Sequence, residues 1–263
     1  MRKVLFLFPV LLLVFFTGCK DNPTEPANDN GEVKVYMVDA PASYDGVFID
    51  VTAVEVHKSG SDSASGWVTL NSSEKTYNLL DLQNGTQAVI GDSVLASGRY
   101  TQIRLILGGD NYVTIGGIKY NLTVASGSQT GIKLNHEFDV QANSTYNLTL
   151  DFNASKSIVA TGSGKFMLKP TIRIVPTQAS GTISGIVLPA EAKAHVWTVT
   201  TNSDTVSADA DSTGYFKLMA LPESSYNLNI TADDTMYTDT TITGVKVMSN
   251  ENTDIGTVTL AGK

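Results

Sequence analysis

The sequence predicts an all-β protein with two β-sandwich domains in tandem, after a signal peptide and a flexible tether. Three observations predict this class. Apolar and polar residues alternate with a period of two over many short segments, as in strands with one buried face. Clusters of Gly, Asn, Asp and Ser separate these segments at hairpin spacing. Charged residues make up only 17% of the 263 residues, whereas helical bundles are rich in Glu, Lys and Arg.

The N-terminal residues have the layout of a secretory signal. Arg2 and Lys3 precede an apolar run over residues 4–16, which is shorter than the about 20 residues of a membrane-spanning helix. We therefore predict a signal peptide over residues 1–18, with an uncleaved membrane anchor as the alternative. The next residue, Cys19, is the only cysteine of the chain, so it has no disulfide partner within it.

The tetrapeptide Phe16-Thr17-Gly18-Cys19 resembles the lipobox of bacterial lipoproteins, with Phe in place of the usual Leu at the first position. The resemblance implies that Cys19 is acylated and becomes the mature N terminus, held stably by more than one acyl chain. Lys20-Asp21-Asn22 resembles the export tag of surface lipoproteins in the Bacteroidetes. We therefore expect a protein that is lipid-anchored to the outer membrane and exposed at the cell surface.

Residues 19–32 are predicted to form the tether, because after Cys19 they contain Pro, Asn and Asp and no apolar residue larger than alanine. The whole chain carries a formal net charge of −8. That charge is repelled by nucleic acid and by anionic lipid headgroups. We therefore expect no nucleic-acid partner, and we assign the membrane contact to the lipid anchor.

The first predicted domain spans residues 33–177. The alternation is clearest over 118–124, 132–140 and 146–152, and it slips around Ala53-Val54, as a β-bulge produces. The only helical candidate is a short turn within 77–95. Tyr146 follows a polar turn, and we expect its ring to face the core, as in the tyrosine corner of sandwich domains.

The second predicted domain spans residues 178–263. Pro170 and Pro176 limit the preceding strand, and the small polar residues of TQASGTISG (177–185) mark the boundary. Tyr226 in ESSYNLNI repeats the arrangement around Tyr146 in NSTYNLTL. This repeated arrangement of a polar turn followed by a core-facing tyrosine supports a second sandwich.

Two parts of the chain resemble known families. The first resembles, over about residues 33–177, a bacterial lipoprotein domain family of unknown function, number 4382, through VYMVDAPASYDGVFIDVTAVEVH (35–57), YNLLDLQNG (77–85), SGRYTQIRLILG (97–108), GIKLNHEFDV (131–140), YNLTLDFNASKSIV (146–159) and KPTIRIV (169–175). The second resembles the carboxypeptidase regulatory-like domain, a transthyretin-like sandwich, through GTISGIV, STGYFKLMALPESSYNLNI and DIGTVTL. Neither resemblance implies a catalytic site.

Motifs for catalysis or cofactor binding are absent from the sequence, which has no GxSxG, Walker or GxGxxG pattern. His57, His136 and His195 are widely spaced without a zinc-binding pattern, and we expect His136 to be buried and hydrogen-bonded. DADSTG from Asp209 resembles the first half of a calcium loop, but Ala220 stands where that loop needs Glu. We therefore expect no catalytic residues, no cofactor and no metal. A glycosidase with an unrecognised carboxylate pair is the enzymatic alternative.

Five residues are candidates for ligand binding. Asp39, Tyr44 and Asp45 lie in VDAPASYDGVFIDV (38–51), which reads either as a recognition loop or as a structural crossover between strands. In a recognition loop the carboxylates would accept hydrogen bonds from sugar hydroxyls. Trp67 and Trp197 would stack on a sugar ring if exposed, although burial is the commoner state of tryptophan.

The expected function is a non-catalytic surface binding or adhesion module, with a glycan or another envelope protein as its ligand. The first domain would carry recognition, and the second would act as a spacer or weak carbohydrate binder. The alternative is a structural pilin-like or stalk subunit. Fimbrillins of the Bacteroidetes, also lipoproteins with two such domains, mature by cleavage after an Arg near the first strand, and here no Arg lies between Arg2 and Arg99.

Overall fold

Residues 29–62, 64–71, 74–124 and 131–263 are described by the structure, a computed structural model. Cys19, the predicted signal peptide and most of the predicted tether lie outside these residues. Strands joined by turns dominate the described chain, with one short helix, α1 (Ala154–Ser157), and 3₁₀ turns at Leu79–Asp81, Thr177–Ala179 and Ala190–Ala192. Within this part of the chain, no helix is long and apolar enough to cross a membrane.

Two sheets form the first sandwich. The four-stranded sheet has the order β13-β10-β1-β5, with β1 and β10 parallel. The nine-stranded sheet has the order β11-β12-β8-β7-β2-β6-β9, and β3 and β4 also pair with β2. The strands are β1 (Asn30–Ala40), β2 (Gly46–Lys58), β3 (Trp67–Asn71), β4 (Lys75–Asn78), β5 (Ala88–Ala96), β6 (Gly98–Leu107), β7 (Tyr112–Ile115), β8 (Ile118–Val124), β9 (Ile132–Val140), β10 (Thr145–Asn153), β11 (Ile158–Ala160), β12 (Phe166–Leu168) and β13 (Ile172–Pro176).

The alternation of the sequence builds the first core. In β1, Val33, Val35 and Met37 are fully buried, while Lys34 and Tyr36 between them remain partly exposed. Burying one large apolar side chain contributes about 1.5–3 kcal/mol, so the alternation decides which face of a strand turns inward. Strands β8 and β9 occupy the residues that the sequence predicts for them.

The long strand β2 is the hub of the nine-stranded sheet. β7 and then β6 pair along one of its edges, and β4 and then β3 along the other. Its register with β6 shifts between Val51 and Ala53, and its register with β3 shifts between Val54 and Glu55. These shifts confirm the bulge predicted around Ala53-Val54.

A second sandwich follows the turn Thr177–Ala179. Its sheets have the orders β17-β14-β20, in which β14 and β20 are parallel, and β16-β15-β18-β19. Its core is separate from the first and includes Ile183, Phe216 and Leu228. The all-β, two-sandwich class predicted from the sequence is therefore confirmed. The strands are β14 (Ser180–Leu188), β15 (Ala194–Val199), β16 (Thr205–Asp209), β17 (Tyr215–Pro222), β18 (Ser224–Ala232), β19 (Thr240–Val247) and β20 (Asn252–Thr259).

Each sandwich contains a tyrosine corner. The Tyr226 hydroxyl donates to the Pro222 carbonyl oxygen at 2.6 Å, and the residue is 3% exposed, as the sequence predicts. In the first sandwich the equivalent bond is made by Tyr100, whose hydroxyl donates to the Ala96 carbonyl oxygen at 3.0 Å. The Tyr146 ring packs against the first core as expected, but its hydroxyl lies beside a histidine ring instead of a backbone carbonyl.

Asn84 joins the two sandwiches by hydrogen bonds. Its Nδ2 donates to the Asp209 carbonyl oxygen at 2.9 Å, and its Oδ1 accepts from the Lys217 amide at 3.0 Å. Asn84 has φ 52°, a left-handed conformation that asparagine tolerates better than most residues. The turn before β5 is thereby docked on β16 and β17, which places clefts along the boundary between the sandwiches.

Candidate functional site

Asp39, at the end of β1, is a buried carboxylate that holds α1. Its Oδ1 accepts a hydrogen bond from the Ala154 amide at 2.9 Å, while its Oδ2 is buried without a hydrogen-bond partner among the described residues. Burial raises the pKa of Asp39 to about 8 against the lowering effect of the Ala154 amide, and the nearby Asp151 carboxylate adds to the rise. Asp39 is therefore largely protonated at neutral pH.

Tyr44 and Asp45 lie on the turn after β1 and contact other elements. The exposed Asp45 accepts a hydrogen bond through Oδ2 from the Gly117 amide at 2.9 Å, which ties it to the β7–β8 turn. Tyr44 packs, partly buried, against the first core. Asp39 and Asp45 are thus engaged with different elements, and each holds a backbone amide.

Asp50, the third carboxylate of the segment, anchors the loop between β6 and β7. Its amide donates to Asn111 Oδ1 at 2.9 Å, and its carbonyl oxygen accepts from the Gly108 amide at 2.8 Å. The residue is only 2% exposed. A Cβ at residue 108 would lie 2.0 Å from Asp50 Oδ2, so the loop requires glycine at this close approach.

Trp67 lies at the start of β3 and is engaged by its neighbours. The Arg104 guanidinium lies 4.1 Å from the centroid of the Trp67 ring, and the His57 ring meets it edge-on at 5.1 Å. Arg104 is held in turn by Glu55, which accepts from its Nε and Nη2. One face of the Trp67 ring is therefore occupied by a cation that the ring attracts.

Trp197 lies on the outward face of β15, with polar residues beside it on the neighbouring strands. Together these residues form the Trp197 row: Ser207, Trp197, Asn229 and Thr241. Ser207 of β16 and Asn229 of β18 are its partners in the strand register. The Thr241 hydroxyl on β19 donates to Asn229 Oδ1 at 3.2 Å. Trp197 is partly exposed, and within the described ranges no aromatic ring or cation stacks on it.

The same face of β15 borders a cleft of about 610 Å³ between the sandwiches, called here the His195 cleft. His195 lies two residues before Trp197, and its Nδ1 is 2.5 Å from Asp209 Oδ1. Residues 41–43, in the loop between Asp39 and Asp45, also line this cleft. The two regions that the sequence singles out, this loop and the strand of Trp197, therefore meet at one cleft.

In the described residues, no group of three or more His, Cys, Asp or Glu side chains is arranged to hold a metal ion. His136 is partly buried with Nε2 3.2 Å from the Tyr146 hydroxyl, and burial lowers the pKa of its imidazole. Asp211, in the calcium-like run, accepts hydrogen bonds from the amides two and four residues later, which is turn chemistry.

Two carboxylates, Asp39 and Asp151, line a cavity of about 10 Å³ between the sandwiches. A cavity of that size holds about one water molecule. Asp151 is paired with Arg173, whose Nε lies 3.2 Å from Asp151 Oδ2. A glycosidic bond does not fit between these two acids, so they are no candidate for the carboxylate pair of a glycosidase.

Sequence reasoning missed the residues that surround the two tryptophans. Arg104 reaches Trp67, and Ser207 and Asn229 flank Trp197, through pairing between strands that are distant in the chain. The one available signal was a charged Arg104 inside the apolar segment IRLIL, which marks an outward position but not its neighbour.

Solved structures of low similarity were found. The minor pilin GBS52 of Streptococcus agalactiae matches with a TM-score of 0.26 and 10% identity, over 88% of this chain and 96% of that chain. A mutant of the shaft pilin SpaA of Lactobacillus rhamnosus GG matches with a TM-score of 0.27 and 10% identity, over 89% and 99%. A chain of a cohesin–X-dockerin complex from Acetivibrio cellulolyticus matches with a TM-score of 0.25 and 23% identity, over 31% of this chain and 58% of its own length. We transfer no function from these likenesses.

Comparison with curated proteins finds no match to the sequence. A family described as a domain of unknown function, DUF4382, matches residues 30–170. The matched region covers more than half of the 263 residues and contains β1 to β12, together with Asp39, Tyr44, Asp45 and Trp67. The chain therefore belongs to the DUF4382 family.

Proposed function

We propose that the protein is a non-catalytic binding module of the bacterial surface that recognises carbohydrate through the Trp197 row. Cys19 would carry the lipid that anchors it to the outer membrane. The observation that carries the proposal is a partly exposed tryptophan flanked by hydroxyl and amide groups. An aromatic ring stacks on the apolar face of a sugar, and the flanking groups exchange hydrogen bonds with its hydroxyls.

The His195 cleft supports the same ligand class. Its volume of about 610 Å³ lies within the range of about 300–1,000 Å³ that is usual for ligand sites. Its lining offers donors and acceptors, among them Lys193, Asp209 and Asp233. A glycan that stacks on Trp197 and runs along β15 toward His195 would enter this cleft and touch residues 41–43, which gives the first sandwich a share in recognition.

Trp67 has a structural role in this proposal. Arg104 covers one face of its ring, and Glu55 holds Arg104 in place. A sugar stacking on that face would have to displace a guanidinium that is already paired. The two tryptophans should therefore differ in their effect on binding.

The test is binding of the full chain, kept in a non-glycosidic detergent, to a panel of polysaccharides and host glycans. Trp197→Ala should weaken binding at least tenfold, the effect of losing about 1.4 kcal/mol of contact. Trp197→Phe should retain part of the affinity because a ring remains. Trp67→Ala is the matched control, and it should bind like the parent.

Thermal unfolding of each variant shows whether it is folded. The proposal would be overturned if Trp197→Ala and the parent bound every glycan with equal affinity. It would also be overturned if the parent bound no glycan of the panel. Loss of binding in Trp67→Ala alone would move the site to the first sandwich.

A stalk or pilin-like subunit is the second candidate, and the Asn84 bridge favours it. Two hydrogen bonds from one side chain hold the sandwiches together, as a load-transmitting subunit requires. The second sandwich would serve as its distal module, and we keep the assignment of that unit as a carboxypeptidase regulatory-like domain as part of the proposal. Polymers of this chain in electron micrographs of native envelopes would support the candidate, and isolated monomers would count against it.

A further inference from the structure

We propose that a second cleft between the sandwiches binds a small zwitterion, such as a free α-amino acid or a dipeptide. This cleft, called here the Lys217 cleft, has a volume of about 400 Å³. Val38 and Gln87 line it from the first sandwich, and Lys217, Met219 and Glu251 from the second. Ligand sites favour such boundaries between domains. The inference does not depend on the Trp197 row.

Two opposite charges line the Lys217 cleft without pairing. Lys217 is partly buried on β17, and Glu251 is exposed just before β20. Within the part of the chain that the structure describes, neither side chain forms an ion pair, with the other or with a third residue. A ligand with one carboxylate and one ammonium group supplies a partner for each, and hydrogen bonds between ionised groups are stronger than those between neutral groups.

Most hydroxyl and amide side chains of the cleft are already hydrogen-bonded. The Thr182 hydroxyl donates to Asn252 Oδ1 at 2.6 Å, and Asn252 Nδ2 donates to the Ser184 hydroxyl at 2.9 Å. The Thr149 and Thr177 hydroxyls lie 3.1 Å apart and bind each other. The two charges are therefore the main unsatisfied groups, which favours a zwitterion over a neutral polyol.

The backbone of the cleft wall is strained at Ala220. This residue has φ 54°, in the left-handed region that costs a residue with a Cβ about 1–2 kcal/mol. Asn250 also lines the cleft with φ 60°, a conformation that asparagine tolerates. At Ala220 the register of β14 and β17 shifts, so that Met219 and Ala220 together oppose Thr182 in a β-bulge. Bulges and strained residues concentrate at binding sites, where they set the shape of a wall.

The test uses ligand-observed NMR and titration calorimetry on the full chain in a non-glycosidic detergent. The probes are the common α-amino acids, diglycine and dialanine. Lys217→Met and Glu251→Gln should each weaken the best probe about tenfold or more, because each removes one charge-assisted contact. Lys246→Met and Glu74→Gln change exposed residues outside the cleft, and they should leave the affinity unchanged.

Gln87→Trp tests the same site while both charges stay in place. Gln87 is exposed and lines the cleft, so a tryptophan there should fill it and abolish binding. Butylamine and butyrate, with one charge each, should bind at least tenfold more weakly than the best zwitterion. Trp197→Ala should leave the zwitterion affinity unchanged, which separates this site from the glycan row.

Three results would overturn the proposal. The first is absence of binding by every zwitterionic probe. The second is binding that Lys217→Met, Glu251→Gln and Gln87→Trp all leave unchanged, which would place the ligand elsewhere. The third is a neutral sugar that binds in the cleft more tightly than any zwitterion, which would refute the ligand class.

Discussion

Replacing Asp39 by asparagine should stabilise the protein at neutral pH and reduce the pH dependence of its stability. Asparagine can keep the Oδ1 contact with the Ala154 amide, and its amide group takes the place of the orphaned Oδ2. Burial raises the pKa of Asp39 from 3.8 to about 8, so the folded protein keeps a proton that the unfolded chain loses.

The sign and size of the effect follow from that difference in the pKa of Asp39. Between about pH 4 and pH 8 the folded state binds more protons at this group than the unfolded state, so stability falls as the pH rises through this window. One pKa unit corresponds to about 1.4 kcal/mol, which gives a loss of about 4 kcal/mol between pH 4 and pH 7. Asp39 is 5% exposed, so solvent screens little of it. Asp39→Asn has no group to titrate there and avoids this loss.

Urea titrations at several pH values between about 4.5 and 7.5 measure the effect as a free energy of unfolding. The difference between Asp39→Asn and the parent should grow steadily with pH. Asp233→Asn, exposed in the second sandwich, is the matched control and should show no such growth. A difference that stays constant over the window would mean that Asp39 is ionised in the folded protein, and the reasoning from its burial would be refuted.

Three further changes test the packing. Gly108→Ala should lower the free energy of unfolding in urea by about 2 kcal/mol or more, because the new Cβ would lie 2.0 Å from Asp50 Oδ2. Gly109→Ala is the control, since a Cβ there meets open space and should leave the stability nearly unchanged. Tyr226→Phe removes the 2.6 Å bond to a backbone carbonyl and should cost about 1–2 kcal/mol; an unchanged urea midpoint would contradict this. Asn84→Gly keeps the positive φ but removes both bonds between the sandwiches, and calorimetry should show separated melting transitions in place of coupled ones.

The strands could be predicted because alternation is a local signal. Parity decides which residues of β8 and β9 face the core, except for Ile118 at the start of β8, which is 58% exposed. The structure places both strands where the sequence predicts them. The tyrosine corner at Tyr226 is also local, since its partner lies four residues earlier. Tyr100 makes the same bond to Ala96 after a comparable polar turn, Ser97-Gly98-Arg99, so this local signal was present in the sequence and was missed.

The candidate site was less predictable because its neighbours come from pairing between distant strands. Trp67 and Trp197 look alike in the sequence, yet Arg104 stacks on the first, and polar residues flank the second. Lys217 and Glu251 are single charges in separate segments, and no local pattern connects them. They line one cleft because β17 and β20 both pair with β14 in the second sandwich, and Val38 and Gln87 of the first sandwich form the opposite wall.

Hydrogen exchange of the full chain, with and without its tightest-binding glycan, shows where the recognition surface lies. Amide exchange should slow in β15, β16 and β18 around Trp197, Ser207 and Asn229, with a smaller effect at residues 41–43. Protection confined to β2, β3 and β6 around Trp67 would contradict the proposal, because the recognition surface would then lie on the nine-stranded sheet of the first sandwich.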